Sequence, residues 1–284
     1  MRVSTQVTGA KRPDEHRPNV PVLRCVYADL DGTLLGPGGS LFAAPEGGVT
    51  GRAAEALRRL HAAGVRLVLM SGRTRRGLAE VARVLGAGTY VAELGALIVD
   101  RSGPSETVIR NTGSHRDGAS LDAIVRSGAG AFLLERFPGR LRPVAPWSEV
   151  TLMLQGWVEP AEANAALQDA GYGWLELHDN GRMHRKVPGL DVDEVHALHL
   201  LPRGIDKASA VALDRERHGI AAVSAVAVGD SRSDVRVAAE VGAFFLVANG
   251  LPTLQGASLA DNVRVTASPY GDGFAEAIEA ALGQ

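Results

Sequence analysis

The chain has 284 residues, 45% of them hydrophobic and 22% charged, which favours two folded domains over one and excludes wholesale disorder. Its formal charge is −2, from 30 basic and 32 acidic residues, so neither nucleic acid nor an anionic membrane is an expected partner. Cys25 is the single cysteine, which excludes an intrachain disulfide and a multi-cysteine zinc site.

Apolar runs such as Ala243–Ala248 fall far short of the roughly 18–20 residues of a membrane span. The first two dozen residues lack the apolar stretch of a secretory leader, and Asp14 and Glu15 argue against a transit peptide. A soluble, cytoplasmic protein is the expectation. Only Lys11, Lys186 and Lys207 among the basic residues are lysines, so a lysine at a chemically telling position stands out.

Residues 1–20 are polar and Pro-broken and read as a tail. Val22–Ala28 is a short apolar run of buried-strand type that ends at Asp29, and a Gly/Pro-rich loop follows. Thr50 is placed to cap a helix carrying Ala53, Leu57 and Leu60, stopped by Gly64. Val65–Met70 is a second buried strand, ending in Ser71-Gly72-Arg73-Thr74, and the next helix presents Leu78, Val81 and Leu85 on one face. Strand, helix, strand, helix with near-continuous apolar strands predicts a parallel sheet covered on both faces.

The C-terminal third repeats this theme. Asp206 can cap a helix to about His218, Val223–Val228 reads as a strand ending at Gly229-Asp230, and Val235–Val241 as a short helix. Phe244–Val247 reads as a strand and Gly273–Leu282 as a closing helix. The middle differs: Glu149–Leu154 and Trp174–His178 have strand character, Pro160–Ala170 is helical, and Asp179-Asn180-Gly181 signals a hairpin turn. This predicts an α+β insert in an α/β host.

Ligands of open α/β sheets bind outside the carboxyl ends of the strands, where this sequence places Asp29, Ser71 and Asp230. Asp29-Leu30-Asp31-Gly32-Thr33 carries two carboxylates two residues apart, able to divide nucleophilic or metal-ligating work from proton transfer. A helix cap or turn is the plain alternative, and the Asp-x-Asp of metal-dependent sugar transferases stays open on this string alone. A calcium-binding EF-hand loop from Asp29 is excluded, because its sixth and twelfth positions would be Leu34 and Ser40. Ser71-Gly72-Arg73 offers a hydroxyl and amides at a helix start, where an anion is favoured, although simple capping needs the same residues. Lys207 follows the probable cap Asp206, an unfavourable place for a cation, and Asp230 and Asp234 bring two more carboxylates. As an ordered set these groups would serve phosphoryl transfer to an aspartate.

The set resembles the haloacid dehalogenase superfamily of phosphatases, whose four motifs are matched in order by Asp29-Leu30-Asp31-Gly32-Thr33-Leu34, Ser71-Gly72-Arg73, Lys207 and Gly229-Asp230-Ser231 with Asp234. The resemblance implies an α/β fold: a Rossmann-like parallel-sheet core over 21–110 and 198–284, with an inserted α+β cap of the C2 type over 111–197. The insert is similar to that of the IIB branch, which holds Cof-like, sugar-phosphate and mannosyl-3-phosphoglycerate phosphatases. The implied roles are Asp29 as nucleophile, Asp31 as acid and base, and Ser71, Gly72, Arg73 and Lys207 on the phosphoryl oxygens. Asp29, the Asp31 carbonyl and Asp230 would hold Mg²⁺, with Asp234 supporting them from behind. The implied substrate is a small phosphorylated metabolite, a sugar phosphate or phosphoglycerate conjugate, and the implied state a monomer or homodimer. A phosphotransferase or mutase, or a non-catalytic metabolite-binding regulator, is the alternative on the same fold. Two positions depart from the family pattern: Ser233 and Leu94 stand where asparagine is usual.

His178, His184, His196 and His199 could suggest a second metal site, but satisfied histidines are the expectation. Trp147, Trp157 and Trp174 are expected in the insert's own core rather than against a sugar. Arg182, Arg185 and Lys186 could reach a substrate anion or form a solvated hairpin, and Cys25 is expected in the core.

Overall fold

A computed structural model describes residues 22–113, 120–144, 147–183, 187–254 and 258–283. The expected tail and His184, Arg185 and Lys186 lie outside the described residues. No helix among the described residues is long and apolar enough to cross a membrane.

The larger of two sheets has eight strands. At its middle lies β1 (Cys25–Asp29), buried along its whole length. On one side follow β2 (Arg66–Met70) and β3 (Thr89–Ala92), parallel to it, then the antiparallel β4 (Leu97–Asp100) and β5 (Thr107–Arg110). On the other side lie β10 (Ala225–Gly229), β11 (Ala243–Leu246) and β12 (Val263–Val265), all parallel. The strand order therefore reverses between β1 and β10, which is where a doubly wound sheet opens a crevice at its carboxyl edge. Asp29 and Asp230 stand at that crevice.

Alternation along β1 sends Val26 and Ala28 to one apolar layer and Cys25 and Tyr27 to the other. The first layer packs under α1 (Arg52–Ala62), α2 (Arg75–Val84) and α8 (Tyr270–Leu282); the second lies under α6 (Lys207–Arg217). Gly51, not Thr50, precedes α1, and the Thr50 hydroxyl instead accepts from the Arg52 N–H and donates to Asp272. The helix expected over Val235–Val241 starts earlier, as α7 (Arg232–Val235) continued by a 3-10 turn over Arg236–Glu240. Ser231 explains the shift, since its hydroxyl caps α7 by accepting from the Asp234 N–H.

The smaller sheet has four strands, ordered β6 (Leu141–Pro143), β7 (Leu152–Gly156), β9 (His196–Pro202), β8 (Leu175–Arg182), all antiparallel. One face buries Leu154, Leu175, Leu177, Leu198 and Leu200 against α3 (Leu121–Ser127), α4 (Ala129–Arg136) and α5 (Pro160–Asp169). Asp179-Asn180-Gly181 is no hairpin turn: it lies within β8, at an irregularity where the register slips between Asp179 and Arg182. The Asp179 carboxylate accepts from the Gly181 N–H, bending the strand locally rather than reversing it. β9 stays in this sheet as far as Pro202, past the expected return to the core at residue 198. Trp174 packs on this sheet's core and Trp157 on His196. Trp147 is an exception to the expected core placement: it is exposed, under the Arg76 guanidinium of α2.

A buried polar network bolts α6 to the sheet. Asp214 accepts from the Tyr27 hydroxyl at 2.7 Å and from both Arg66 terminal nitrogens at 2.5 and 2.9 Å. Burial drives the Tyr27 hydroxyl far above its ordinary pKa, with Asp214 adding to the effect. Asp214→Ala strips Arg66 and Tyr27 of their buried carboxylate partner and is expected to cost about 3–5 kcal/mol of stability. Asp122→Ala, which breaks an exposed pair with Arg126, is expected to cost under about 1 kcal/mol. Urea denaturation of the two variants checks the contrast.

Candidate active site

Asp29 ends β1, Ser71 follows β2, and Asp230 follows β10. Lys207 opens α6 behind the cap Asp206, whose carboxylate accepts from the Ser209 N–H while Ser209 returns the bond. The fold thus brings three strand ends and one helix start to a single edge.

Lys207 is the centre of the cluster. Its ammonium, 2% exposed, donates to Asp29 Oδ1 at 2.6 Å and Asp234 Oδ1 at 2.7 Å. Burial alone would lower the lysine pKa, but the Asp234 and Asp29 carboxylates overcome it and hold the ammonium protonated. The carboxylates answer differently. Burial pushes Asp29 above the usual range, against the pull of Lys207, and Asp230 is raised by burial and by the charges of Asp29 and Asp234. Three crowded acids against one ammonium leave uncompensated negative charge, which a cation would relieve.

Asp29, Asp230 and Asp234 each offer an oxygen within 4.8 Å of the others, and among the described residues no histidine belongs to such a group. The hydrogen bonds separate their roles. Asp29 Oδ2 is buried without a partner, and Asp230 has only long contacts, to Thr33 at 3.5 Å and Asn249 at 3.3 Å. Asp234 is saturated: one oxygen takes Lys207, and the other accepts from the Asp230 and Ser231 amides and the Ser231 hydroxyl. The open oxygens of Asp29 and Asp230 suit a hard divalent cation, whereas Asp234 can act only from behind.

Asp31 and Arg73 meet in a bidentate pair, 2.8 and 2.6 Å long, at the rim. The Arg73 guanidinium thus meets Asp31, another residue of the expected site. Two parallel charge-assisted hydrogen bonds to a carboxylate fix the guanidinium in one plane. The Ser71 hydroxyl accepts from the Arg73 N–H. Gly32 has φ +91°, and a Cβ there would lie 2.2 Å from Asp230 Oδ2, so only glycine lets β1 turn this close to β10.

The smaller layer is tied to this edge by Glu93, the residue before Leu94. Fully buried, its carboxylate accepts from the amides of Glu149, Val150 and Thr151 and from the Thr151 hydroxyl. Glu93 and Leu94 both have positive φ, 52° and 56°, a conformation that asparagine tolerates and leucine resists. Asn249 was missed by sequence reasoning; its amide donates to the Gly32 carbonyl and Asp230, and its oxygen accepts from the Tyr270 N–H. Its place just past the end of β11 was the available signal. The remaining histidines are engaged or buried singly: His196 bonds Asp179 at 2.9 Å and His178 lies 3.6 Å from Glu176.

A family model described as haloacid dehalogenase-like hydrolase matches residues 26–117. Those residues contain the Asp29–Asp31 and Ser71–Arg73 segments, and the same site holds Lys207, Asp230 and Asp234. Over that segment the chain is similar to haloacid dehalogenase-like hydrolases. Its likeness runs nearly end to end: it is 29% identical over 262 residues to a phosphoglycolate phosphatase of Pyrobaculum aerophilum, covering 91% of this chain and 96% of the relative. A phosphoglycolate phosphatase of Methanospirillum hungatei is 27% identical over 268 residues, with 90% and 95% covered. The crystal structure of the sucrose-phosphatase from Synechocystis sp. PCC6803, with sucrose and phosphate, shares the fold at TM-score 0.64 and 15% identity, covering 92% of this chain and 98% of that one. The α/β core and the separate smaller sheet of this chain follow that architecture.

Glu93→Ala removes the acceptor of three backbone amides, two of them on the buried residues Val150 and Thr151. At about 1–3 kcal/mol per unpaired group, a loss of at least about 3 kcal/mol is expected, with faster amide exchange confined to 149–151. Glu93→Gln, which keeps one acceptor oxygen, is expected to fall between. Urea denaturation and hydrogen-exchange mass spectrometry give the two readouts.

Proposed function

We propose that this phosphatase is a Mg²⁺-dependent phosphomonoester hydrolase that acts through an aspartyl-phosphate on Asp29. The observation that carries the reading is the buried, unpartnered Asp29 Oδ2 beside a lysine that neutralises the other oxygen. In the first half-reaction an Asp29 oxygen attacks phosphorus, the ester P–O bond breaks, and Asp31 gives its proton to the departing alkoxide. In the second, Asp31 takes a proton from water as that water attacks the phosphorus of the aspartyl-phosphate. Inorganic phosphate leaves and the Asp29 carboxylate returns.

Lys207 supplies fixed positive charge at the Asp29 oxygen and the phosphoryl group, the electrostatic stabilisation on which phosphoryl transfer mostly depends. Mg²⁺, when bound by Asp29, Asp230 and the Asp31 carbonyl, supplies the remaining charge that lets a dianionic phosphate approach three acids. Asp234 holds Lys207 and the Asp230–Ser231 backbone in place. Ser71 and the Gly72 amide are set to hold phosphoryl oxygens at the end of β2. Arg73 joins them on substrate binding, because an incoming phosphoryl group offers its guanidinium new acceptors.

The substrate is a small phosphorylated metabolite whose leaving group lies under the smaller sheet. Relatives named for phosphoglycolate span nearly the whole chain, and a sucrose-phosphatase shares the fold. A small phosphorylated acid and a sugar phosphate are therefore the two classes to set side by side.

Phosphate release from a panel of phosphomonoesters, with Mg²⁺ or EDTA, tests the reading. Release that needs Mg²⁺ and drops at least about 10³-fold in Asp29→Asn is expected; Mg²⁺-independent release retained in that variant overturns the mechanism. Mg²⁺ is also expected to raise the melting temperature by relieving the repulsion among the acids, and Asp230→Ala to abolish most of that rise. An unchanged Mg²⁺ titration in Asp230→Ala removes it as a ligand.

A further inference from the structure

Asn249 lies in the 3-10 stretch Ala248–Leu254, just past β11, and its side-chain amide joins three other segments of the chain. Nδ2 donates to the Gly32 carbonyl at 2.9 Å and to Asp230 Oδ2 at 3.3 Å, and Oδ1 accepts from the Tyr270 N–H at 2.8 Å. The turn after β1, the end of β10 and the start of α8 therefore meet at one group. The amide fits only one way round. Turned over, its oxygen would face two acceptors and its N–H groups a donor. Gly250, the next residue, allows the close approach, since a Cβ there would lie 2.5 Å from the Asp230 carbonyl oxygen. Tyr270 sits at φ +52°, a strain that persists only where surrounding contacts over-determine the backbone.

The three acids of the site are held in different ways. Asp29 shares one oxygen with Lys207, and Asp234 is saturated by Lys207, two amides and a hydroxyl. Asp230 meets the Thr33 hydroxyl only at 3.5 Å. The Asn249 nitrogen is different, because the bonds to Gly32 and Tyr270 anchor its amide and leave it a fixed donor for Asp230 Oδ2. A neutral donor orients a carboxylate without cancelling its charge, so the acid stays fully available to a cation.

Gly32 carries the other half of the arrangement. The Asp31 carbonyl belongs to the peptide whose Gly32 N–H donates to the Leu35 carbonyl at 2.9 Å, and the following peptide is held through its carbonyl by Asn249. Two oxygen donors expected for Mg²⁺, one from the turn after β1 and one from the end of β10, thus stand on either side of the same amide.

We propose that Asn249 is a positioning residue for the metal, aiming the Asp230 carboxylate and fixing it against the Asp31–Gly32 turn without itself ligating. Its oxygen, the one atom of the amide that could ligate, is taken by the Tyr270 N–H. This rests on the Mg²⁺-dependent reading above and adds a residue to it.

The test titrates MgCl₂ into the full chain by calorimetry and follows the melting temperature in EDTA and in Mg²⁺. Asn249→Ala is expected to raise the Mg²⁺ Kd by about 10–100-fold, the usual effect of removing a partner that orients a metal ligand. Its phosphate release is expected to need more Mg²⁺ and to recover when Mg²⁺ is saturating, with the KM for the ester unmoved. Asn249→Ser, which leaves a smaller polar group, repeats the titration should the alanine variant not fold. Thr253→Val removes a hydroxyl that donates to the Asp230 and Gly250 carbonyls in the same turn; it is expected to lower the melting temperature and leave the Mg²⁺ Kd unchanged. A lower melting temperature in EDTA with an unchanged Mg²⁺ Kd in Asn249→Ala overturns the proposal, leaving Asn249 a purely structural residue. Absence of both a binding heat and a melting-temperature rise with Mg²⁺ in the unaltered chain overturns the metal-dependent reading, and this proposal with it.

Discussion

The site depends on one buried ammonium. Lys207 lies between Asp29 and Asp234 with almost no access to water, and without it the acids at this edge would face one another unscreened. A pair of this kind tolerates little displacement, because removing either partner strands a charge in the interior. Its position is set from two directions. Asp206 and Ser209 cap the start of α6, and two turns further along the same helix Asp214 is bolted to Tyr27 and Arg66. Tyr27 and Asp29 share one face of β1, so strand and helix are registered twice, once structurally and once at the reaction centre.

The same economy of charge governs the rim. Asp31, exposed where Asp29 is buried, finds its counterion in Arg73 rather than Lys207. Two aspartates two residues apart thus occupy different electrostatic environments, one poor in water and one open to it. That separation lets a pair of identical side chains take different parts in one reaction.

The smaller layer is held by an interaction of another kind. Glu93 offers its carboxylate to three successive amides of the incoming chain, as an anion would occupy a backbone nest. The cost is visible in the backbone, where Glu93 and Leu94 both sit at positive φ. Strain of this sort persists only where surrounding contacts over-determine it. Here it sits between the loop that holds Ser71, whose carbonyl accepts from the Leu94 N–H, and the segment that leads into β7.

Much of this was legible in one dimension. Strand-type apolar runs ending in Asp29, Ser71 and Asp230, with helical periodicity between them, determine a doubly wound sheet, and the chemistry collects at its carboxyl edge because parallel strands share a direction. Asp206 before Lys207 announced the helix that carries the lysine. The α+β character of the insert also showed in its composition. Tertiary structure alone decided which acids remain open to a cation, because hydrogen bonds from residues far apart in the chain saturate Asp234 and leave Asp29 Oδ2 bare. It decided that Arg73 turns to Asp31, a contact spanning 42 residues. It decided too that Asn180 reaches Gly72. A turn-forming tripeptide reads as a hairpin until strand pairing absorbs it into β8, and only the docking of two sheets shows what that strand faces.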